Sequence, residues 1–206
     1  MALIRGVRPG DLEALYAICL ATGDNGQDAS AQHDDSQVVG HIYAAPYAVL
    51  EPGSAFVVED GDGVAGYIVG AADTLAFEER MVGEWWPALR GRYADPGGDP
   101  RAWNADQVRA YQIHHPQPPP ARVTDAYPSH LHINLLPRLQ GQGLGRRLID
   151  TWLTRMRELG SSGAHLGVGV KNERAVRFYR AYGLTEFQFP NPRPDAQTRY
   201  FVADLR

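Results

Sequence analysis

The chain has very few of two residue types that often carry chemistry: one cysteine, Cys19, and one lysine, Lys171, among 206 residues. A single cysteine excludes an internal disulfide and any metal site built from several thiolates. No apolar run approaches the roughly 18 residues that cross a bilayer. The opening segment carries Arg5 and Arg8 where a secretion leader is apolar. We therefore expect a cytoplasmic protein with no membrane partner.

The sequence also lacks a strong excess of charge of one sign. Twenty basic and 24 acidic residues give a formal net charge of −4, which does not provide the basic surface that nucleic acids require. The composition, 44% hydrophobic and 21% charged, is typical of a globular protein. The length favours one domain, with or without a long insertion.

Hydrophobic periodicity predicts a mixed α/β sheet with helices on its faces. Gly61-Asp62-Gly63 predicts a hairpin turn, and Pro46 is expected to end the helix before it. Residues 74–128, rich in tryptophan and proline, predict one or two helices and an extended segment inserted between strands. The predicted strands are 3–8, 55–60, 64–70, 131–136, 165–170, 185–189 and 200–205, and the predicted helices are 12–20, 37–43, 144–159 and 172–182.

A glycine-rich loop, Gly141-Gln142-Gly143-Leu144-Gly145, joins a predicted strand to the longest predicted helix. Glycines let a ligand approach the backbone closely, and the first N–H groups of a helix are unpaired at the positive end of its dipole. The loop therefore predicts a pyrophosphate cradle, to which Arg146 adds a positive charge. A P-loop needs Lys-Ser/Thr after Gly145, and the dinucleotide fingerprint needs a third glycine that is missing, so both alternatives fit poorly.

This loop has the pattern Q-x-x-G-x-G from Gln140 onward, and N-x-x-A-x-x-F-Y follows from Asn172 to Tyr179. Together the two motifs resemble the GNAT acetyltransferase superfamily. The resemblance implies the GNAT fold, an α/β architecture whose mixed central sheet is splayed at the cofactor site, with helices on both faces. It also implies that residues 1–206 form a single domain, with 74–128 as a variable insertion.

A more specific resemblance involves Gly40–Tyr43, Ser54–Asp60, Gly66–Gly70 and Trp85. These segments are similar to the acetyltransferase-like C-terminal domain of O-GlcNAcase and its bacterial stand-alone relatives. The animal domain lacks the glycine loop, whereas this sequence keeps it. The resemblance therefore implies that cofactor binding survives here.

The superfamily resemblance implies that the loop binds the pyrophosphate of acetyl-CoA and that the pantetheine inserts beside the preceding strand. The backbone N–H of Leu135 is then placed to polarise the thioester carbonyl. The cofactor-binding residues implied in this way are Leu135, Leu136, Pro137, Gln140, Gly141, Gln142, Gly143, Leu144, Gly145, Arg146, Asn172, Arg174, Phe178 and Tyr179. From the residues alone, Asn172 caps a helix as well.

Tyr179 matches the position of the family's leaving-group acid, although a core aromatic is an alternative interpretation. Many family members place a glutamate base on the strand before the loop, where this sequence has His130, His132 and Asn134. Strand alternation puts these three side chains on one face, and histidine is a suitable base near neutral pH. Ordinary hydrogen-bonded strand residues are the alternative. The H-x-H pair has no evident third ligand, so no metal site is expected.

The combined hypothesis is an N-acetyltransferase that moves acetyl from acetyl-CoA to an amine by direct attack on the thioester. The acceptor is a small-molecule or peptide amine, and the protein is a monomer or a homodimer. The alternative hypothesis is a catalytically weak or inactive acetyl-CoA-binding module, which the absent glutamate base favours. Family layout also places Asp24, Asn25, Tyr43 and Tyr47 near the acceptor.

Overall fold

The computed structural model describes residues 2–191 and 196–206. Within these ranges the chain forms the strands β1 (Leu3–Gly6), β2 (Phe56–Asp60), β3 (Gly63–Ala71), β4 (Ser129–Leu135), β5 (Gly163–Gly169), β6 (Thr185–Glu186) and β7 (Thr198–Asp204). They make one sheet in the order β1-β2-β3-β4-β5-β7-β6. Neighbours are antiparallel except β4 and β5, which are parallel. The predicted mixed sheet is confirmed, although the predicted strand 185–189 is reduced to two residues.

The helices of the described residues are α1 (Leu12–Ala21), α2 (Val38–Tyr43), α3 (Ala45–Leu50), α4 (Thr74–Arg80), α5 (Trp86–Arg92), α6 (Ala105–His114), α7 (Ala121–Thr124), α8 (Leu144–Glu158) and α9 (Glu173–Tyr182). Among these residues no helix has the length and apolar character that a membrane span needs. The prediction that Pro46 ends the helical segment is wrong. The chain bends at Ala44 instead, and Pro46 lies in the first turn of α3, where its missing N–H breaks no helical hydrogen bond.

Residues 74–128 join β3 and β4, which are adjacent in the sheet. The segment thus lies between two strands, and it holds more than the one or two helices that the sequence predicted. The segment contains α4 to α7, and a π-type turn, Met81–Trp85, links α4 to α5. Phe77, Trp86 and Ile113 are buried and pack with α1 and β3 in one core cluster. Residues 74–128 therefore form part of the hydrophobic core, because their helices cover one face of the sheet.

Two apolar clusters lie on opposite faces of the sheet, since successive strand side chains alternate between faces. One cluster packs α8 and α9 against residues such as Ile68. The other packs α1 to α6 against residues such as Tyr67 and Val69. The apolar periodicity of residues 144–159 predicts a buried stripe from Leu144 to Leu159. The structure buries Trp152 and Met156 fully but leaves Leu159 46% exposed. Helices on both faces complete the predicted architecture.

The sheet opens in its middle. The parallel strands β4 and β5 pair at only two positions, Ser129 with Ala164 and His130 with His165. Beyond His130, β4 continues to Leu135 while paired only with β3. This separation leaves a gap between β4 and β5, as the family resemblance implied.

Candidate active site

A cavity of about 650 Å³ lies at this gap, within the size range of small-molecule and cofactor sites. Its walls come from β4, β5, the glycine loop, the first turns of α8 and α9, and the loop after α1. Both sheet faces contribute, since His132 and Tyr179 line the same cavity. The predicted residues that line it are His132, Asn134, Leu135, Gln140, Gly141, Gly143, Gly145, Arg146, Asn172, Arg174, Phe178 and Tyr179.

The backbone of β4 turns its free edge toward the gap. Leu136 donates its N–H to the Ala65 carbonyl at 2.8 Å, so this pair is hydrogen-bonded across the antiparallel ladder. Because hydrogen-bonded pairs alternate with non-bonded ones, the N–H and C=O of Ile133 and Leu135 point away from β3. Gln140 donates its side-chain N–H to the Leu135 carbonyl at 2.7 Å. The Leu135 N–H therefore faces the cavity.

The N-terminus of α8 has no side-chain cap. Its N-cap, Gly143, has φ +74°, and Gly141 has φ +73°, a left-handed conformation that favours glycine. No atom lies within 4 Å of where a Cβ would stand on either residue, so the backbone there is open. A Cβ on Gly145 would lie 3.1 Å from the Phe178 ring, and glycine therefore lets α8 approach α9. The result is a bare cluster of helix N–H groups at the cavity, which suits an anion.

Two arginines lie at this end of the cavity. Arg146 donates to the Ala181 carbonyl at 3.0 Å and stacks its guanidinium 4.9 Å from the centre of the Tyr182 ring. Arg174 lies in the first turn of α9 and is exposed. Both line the cavity, so this end of the cavity is positively charged.

The α9 helix begins differently, with Asn172 accepting a hydrogen bond from the Ala175 N–H at 3.0 Å. This confirms Asn172 as a helix cap. About two turns later, Tyr179 is 7% exposed, and its hydroxyl has no hydrogen-bond partner among the described residues. Burial raises the pKa of Tyr179 above its usual value. The hydroxyl is therefore protonated at neutral pH and available as a donor.

The polar face of β4 holds His130, His132 and Asn134, as alternation predicted. Asn134 donates to the Thr22 hydroxyl. Burial lowers the pKa of His130 well below its usual value, and burial with the charge of His165 lowers that of His132 to about 4. Both rings are therefore neutral at pH 7. No aspartate or glutamate of the described residues lines the cavity.

Four predicted residues have side chains outside the cavity wall. Leu144 is buried in the core, and Gln142 donates to the Arg138 carbonyl at 2.7 Å. Leu136 packs between the two clusters, and Pro137 begins a 3-10 turn. None of the four is part of the cavity wall, and their cofactor role stays a prediction.

Sequence motifs did not indicate several wall residues. Thr22 and Gly26 come from the loop after α1, and Ile133, Leu166 and Val168 come from the two separated strands. Of the residues placed near the acceptor by family layout, Asn25 lines the cavity. The polar, glycine-bearing character of residues 22–28 was the available signal for that loop.

The chain belongs to the GNAT family: the family model described as Acetyltransferase (GNAT) family matches residues 24–184. The uncapped helix, the opened sheet and the cavity between them are thus features of a chain from a family of acetyltransferases.

Individual proteins and solved structures are also similar to this chain. The chain is 24% identical over 183 residues to Protein O-GlcNAcase of Rattus norvegicus, covering 89% of this chain but only 20% of that protein. It is 34% identical over 106 residues to Mycothiol acetyltransferase of Geodermatophilus obscurus, covering 48% of this chain and 34% of that protein. The crystal structure of SsHAT has a TM-score of 0.87 and 36% identity, with 100% of this chain and 98% of that chain covered.

A structure of yncA from Salmonella typhimurium, described as a putative acetyltransferase with its cofactor acetyl-CoA, has a TM-score of 0.56 and 15% identity. It covers 100% of this chain and 95% of that chain. At this identity the similarity concerns the fold. The predicted family and fold are confirmed.

Proposed function

We propose that the protein is an N-acetyltransferase that takes acetyl from acetyl-CoA and gives it to an amine. One observation carries the proposal: the free edge of β4 and the uncapped N-terminus of α8 are joined by residues 136–143 and border the same cavity. An extended chain with amides fits the first, and a diphosphate fits the second. The residues present therefore fit acetyl-CoA, which is also described for yncA.

The chain's own groups have separable roles in this proposal. A bound thioester supplies the activated acetyl group. The N–H groups of Gly143, Leu144 and Gly145 hold the diphosphate, with Arg146 and Arg174 beside it. The Leu135 N–H donates to the carbonyl oxygen where negative charge develops.

Tyr179 is the proposed acid that protonates the leaving thiolate. A phenol with a raised pKa donates to a thiolate of pKa about 8.5 only when the two are held in contact. The same dry surroundings that raise the pKa of Tyr179 destabilise an uncompensated thiolate, which favours the transfer.

His132 is the proposed base, and Asn134 beside it orients the amine. With a pKa of about 4, the His132 ring is neutral and has a free lone pair at pH 7. It is a weak base, so it accepts the proton once attack has begun and the amine nitrogen has become acidic. A cytoplasmic location and one domain over residues 1–206 remain part of the proposal.

A second candidate function, an acetyl-CoA-binding module without turnover, is favoured by the absence of a carboxylate from the described cavity wall. The module and the enzyme share the cradle and differ only in chemistry. Binding without thiol release, tested over peptides, aminosugars and small amines, identifies the module.

The substitution Gly143→Glu tests the proposed diphosphate cradle, which both candidate functions require. Acetyl-CoA is expected to raise the melting temperature of the wild-type protein, and the variant is expected to lose this shift because a carboxylate then occupies the helix N-terminus. Gly160→Glu is the matched control: Gly160 also has positive φ, +80°, with open space around its Cβ position, but it follows the other end of α8. A shift retained by Gly143→Glu contradicts the proposed cradle.

A further inference from the structure

A chain of hydrogen bonds runs behind the cavity and ends at His132, the proposed base. The Thr74 hydroxyl lies 2.6 Å from the Pro128 carbonyl and 2.9 Å from His130 Nδ1. The other ring nitrogen, His130 Nε2, lies 2.9 Å from the Tyr47 hydroxyl. That hydroxyl is also 3.1 Å from His132 Nε2. Four side chains from α3, α4 and β4 are therefore joined in one line.

The direction of the first bonds is fixed by the Pro128 carbonyl, because a carbonyl only accepts. Thr74 has one hydroxyl proton and donates it to that carbonyl. It can then only accept from His130, so Nδ1 of His130 carries a proton. Since burial keeps the His130 ring neutral, its Nε2 carries none.

The directions of the other two hydrogen bonds follow from the tautomer of His130. Tyr47 donates its single proton to His130 Nε2, because that nitrogen only accepts. The Tyr47 oxygen then accepts from His132 Nε2, which carries the proton of that neutral ring. His132 Nδ1 is left as a bare lone pair, without a hydrogen-bond partner among the described residues.

We propose that Thr74, His130 and Tyr47 are positioning residues that hold His132 in the Nε2-protonated tautomer, so that Nδ1 accepts the proton of the acceptor amine. This assignment rests on the proposed function, since His132 lines the cavity. As the amine forms its bond to the acetyl carbon, one N–H bond breaks and its proton goes to Nδ1. The C–S bond of the thioester breaks, and the leaving thiolate takes the Tyr179 proton, which solvent later replaces. The Nε2–H stays bonded to Tyr47, and the new imidazolium later returns its proton to solvent.

Fixing the tautomer has a chemical purpose. The two tautomers of neutral imidazole place the lone pair on opposite sides of the ring. A ring free to exchange them presents an N–H to the amine part of the time, and that arrangement cannot remove a proton. The hydrogen-bond chain also gives the two histidines opposite tautomers, with the proton on Nδ1 in His130 and on Nε2 in His132. The two residues are only two positions apart on one strand.

Nitrogen-15 NMR of the labelled full-length protein tests the tautomers without any substrate. His130 is expected to carry its proton on Nδ1 and His132 on Nε2, with a non-protonated nitrogen in each ring. Equal tautomers in the two rings, or a proton on His132 Nδ1, overturn the proposal.

Tyr47→Phe tests the consequence. It removes the oxygen between the rings, and we expect a mixture of His132 tautomers with kcat at least about tenfold lower and an unchanged KM for acetyl-CoA. Tyr16→Phe is the matched control, because the Tyr16 hydroxyl also bonds a histidine, His41 Nδ1 at 2.7 Å, outside the cavity wall. Unchanged kcat and tautomers in Tyr47→Phe contradict the proposal.

Thr74 provides a second pair of variants that does not alter the packed Tyr47 ring. Thr74→Val removes the donor to Pro128 and is expected to disturb both tautomers and kcat, whereas Thr74→Ser keeps the hydroxyl and is expected to restore them. Opposite tautomers in a protein that turns over no amine support the hydrogen-bond chain and contradict the proposed function. Turnover with the wrong tautomers supports the function and overturns the chain.

Discussion

The two faces of β4 have different surroundings. Leu131, Ile133 and Leu135 join the cluster packed by α8 and α9. On the other face, His130, His132 and Asn134 bond to hydroxyl groups from α3, α4 and the end of α1. One face is held by apolar burial and the other by paired polar groups.

This difference indicates which face of β4 tolerates substitution. An apolar contact is non-directional, so the α8 face tolerates changes of side chain that conserve volume. A buried polar group loses stability when its partner is removed. Residues on the histidine face are therefore fixed in identity as well as in size, and three tests measure this contrast.

The largest effect is expected from the apolar face. Trp152 is fully buried and donates its indole N–H to the Ser54 carbonyl at 3.0 Å. Trp152→Ala is expected to reduce the free energy of unfolding by about 5 kcal/mol, since it leaves a cavity and an unpaired carbonyl. Urea denaturation measures it. Leu159→Ala, on a residue 46% exposed at the end of α8, is the control. A loss under about 1 kcal/mol for Trp152→Ala refutes the contrast.

A smaller loss of stability, which depends on pH, is expected from the buried histidines on the other side of the sheet. Burial lowers the pKa of His132 to about 4, and burial together with Arg92 does the same for His41. Between these values and the unfolded pKa of about 6.5, the unfolded chain binds more protons, so stability falls as pH falls. From pH 7 to 5 we expect a loss of about 2 kcal/mol per residue, or about 4 kcal/mol for the two.

Denaturation at the two pH values measures this decline. The window lies above the range where most carboxylates titrate, which separates the histidines from the ion pairs. His130, whose pKa burial also lowers, adds to this decline, and His132→Asn is expected to reduce the decline by about 2 kcal/mol. A free energy of unfolding that is equal at pH 7 and pH 5 contradicts buried neutral histidines.

The smallest effect is expected for Tyr179→Phe, which leaves the packing of α9 intact. Loss of the acid is expected to lower kcat about a hundredfold, equivalent to about 2.7 kcal/mol. The melting temperature should be unchanged, because the hydroxyl has no partner in the described structure. Thiol release measures kcat, and Tyr111→Phe on the exposed side of α6 is the control. Equal rates for wild type and Tyr179→Phe leave Tyr179 as a core aromatic only.

The parts that the sequence predicted well depend on neighbours in the chain. The stripe of α8, the cap at Asn172 and the hairpin at Gly61-Asp62-Gly63 each follow from residues within a few positions of one another. The opened sheet was different, because periodicity alone does not show where β4 leaves β5. That expectation came from the family resemblance carried by the loop and the motif after it.

The hydrogen-bond chain behind His132 was beyond such reasoning. Tyr47 and Thr74 lie 85 and 58 residues before His132 in the sequence, and only the tertiary fold brings them to one line. The prediction for Pro46 was wrong for a related reason. A proline can follow the end of one helix or lie in the first turn of the next, and the bend at Ala44, which the sequence does not reveal, determines which of the two occurs.

The two residue pairs between β4 and β5 have a consequence for the protein's lifetime. Within the described residues they are the sole ladder between the two halves of the sheet, so the molecule has a weak seam. In the proposed function a thioester lies along that seam, bridges the two halves and binds only the native form, which shifts the unfolding equilibrium. Resistance to proteases, and slow amide exchange at Ile133 and Leu135, should therefore rise and fall with the supply of the thioester.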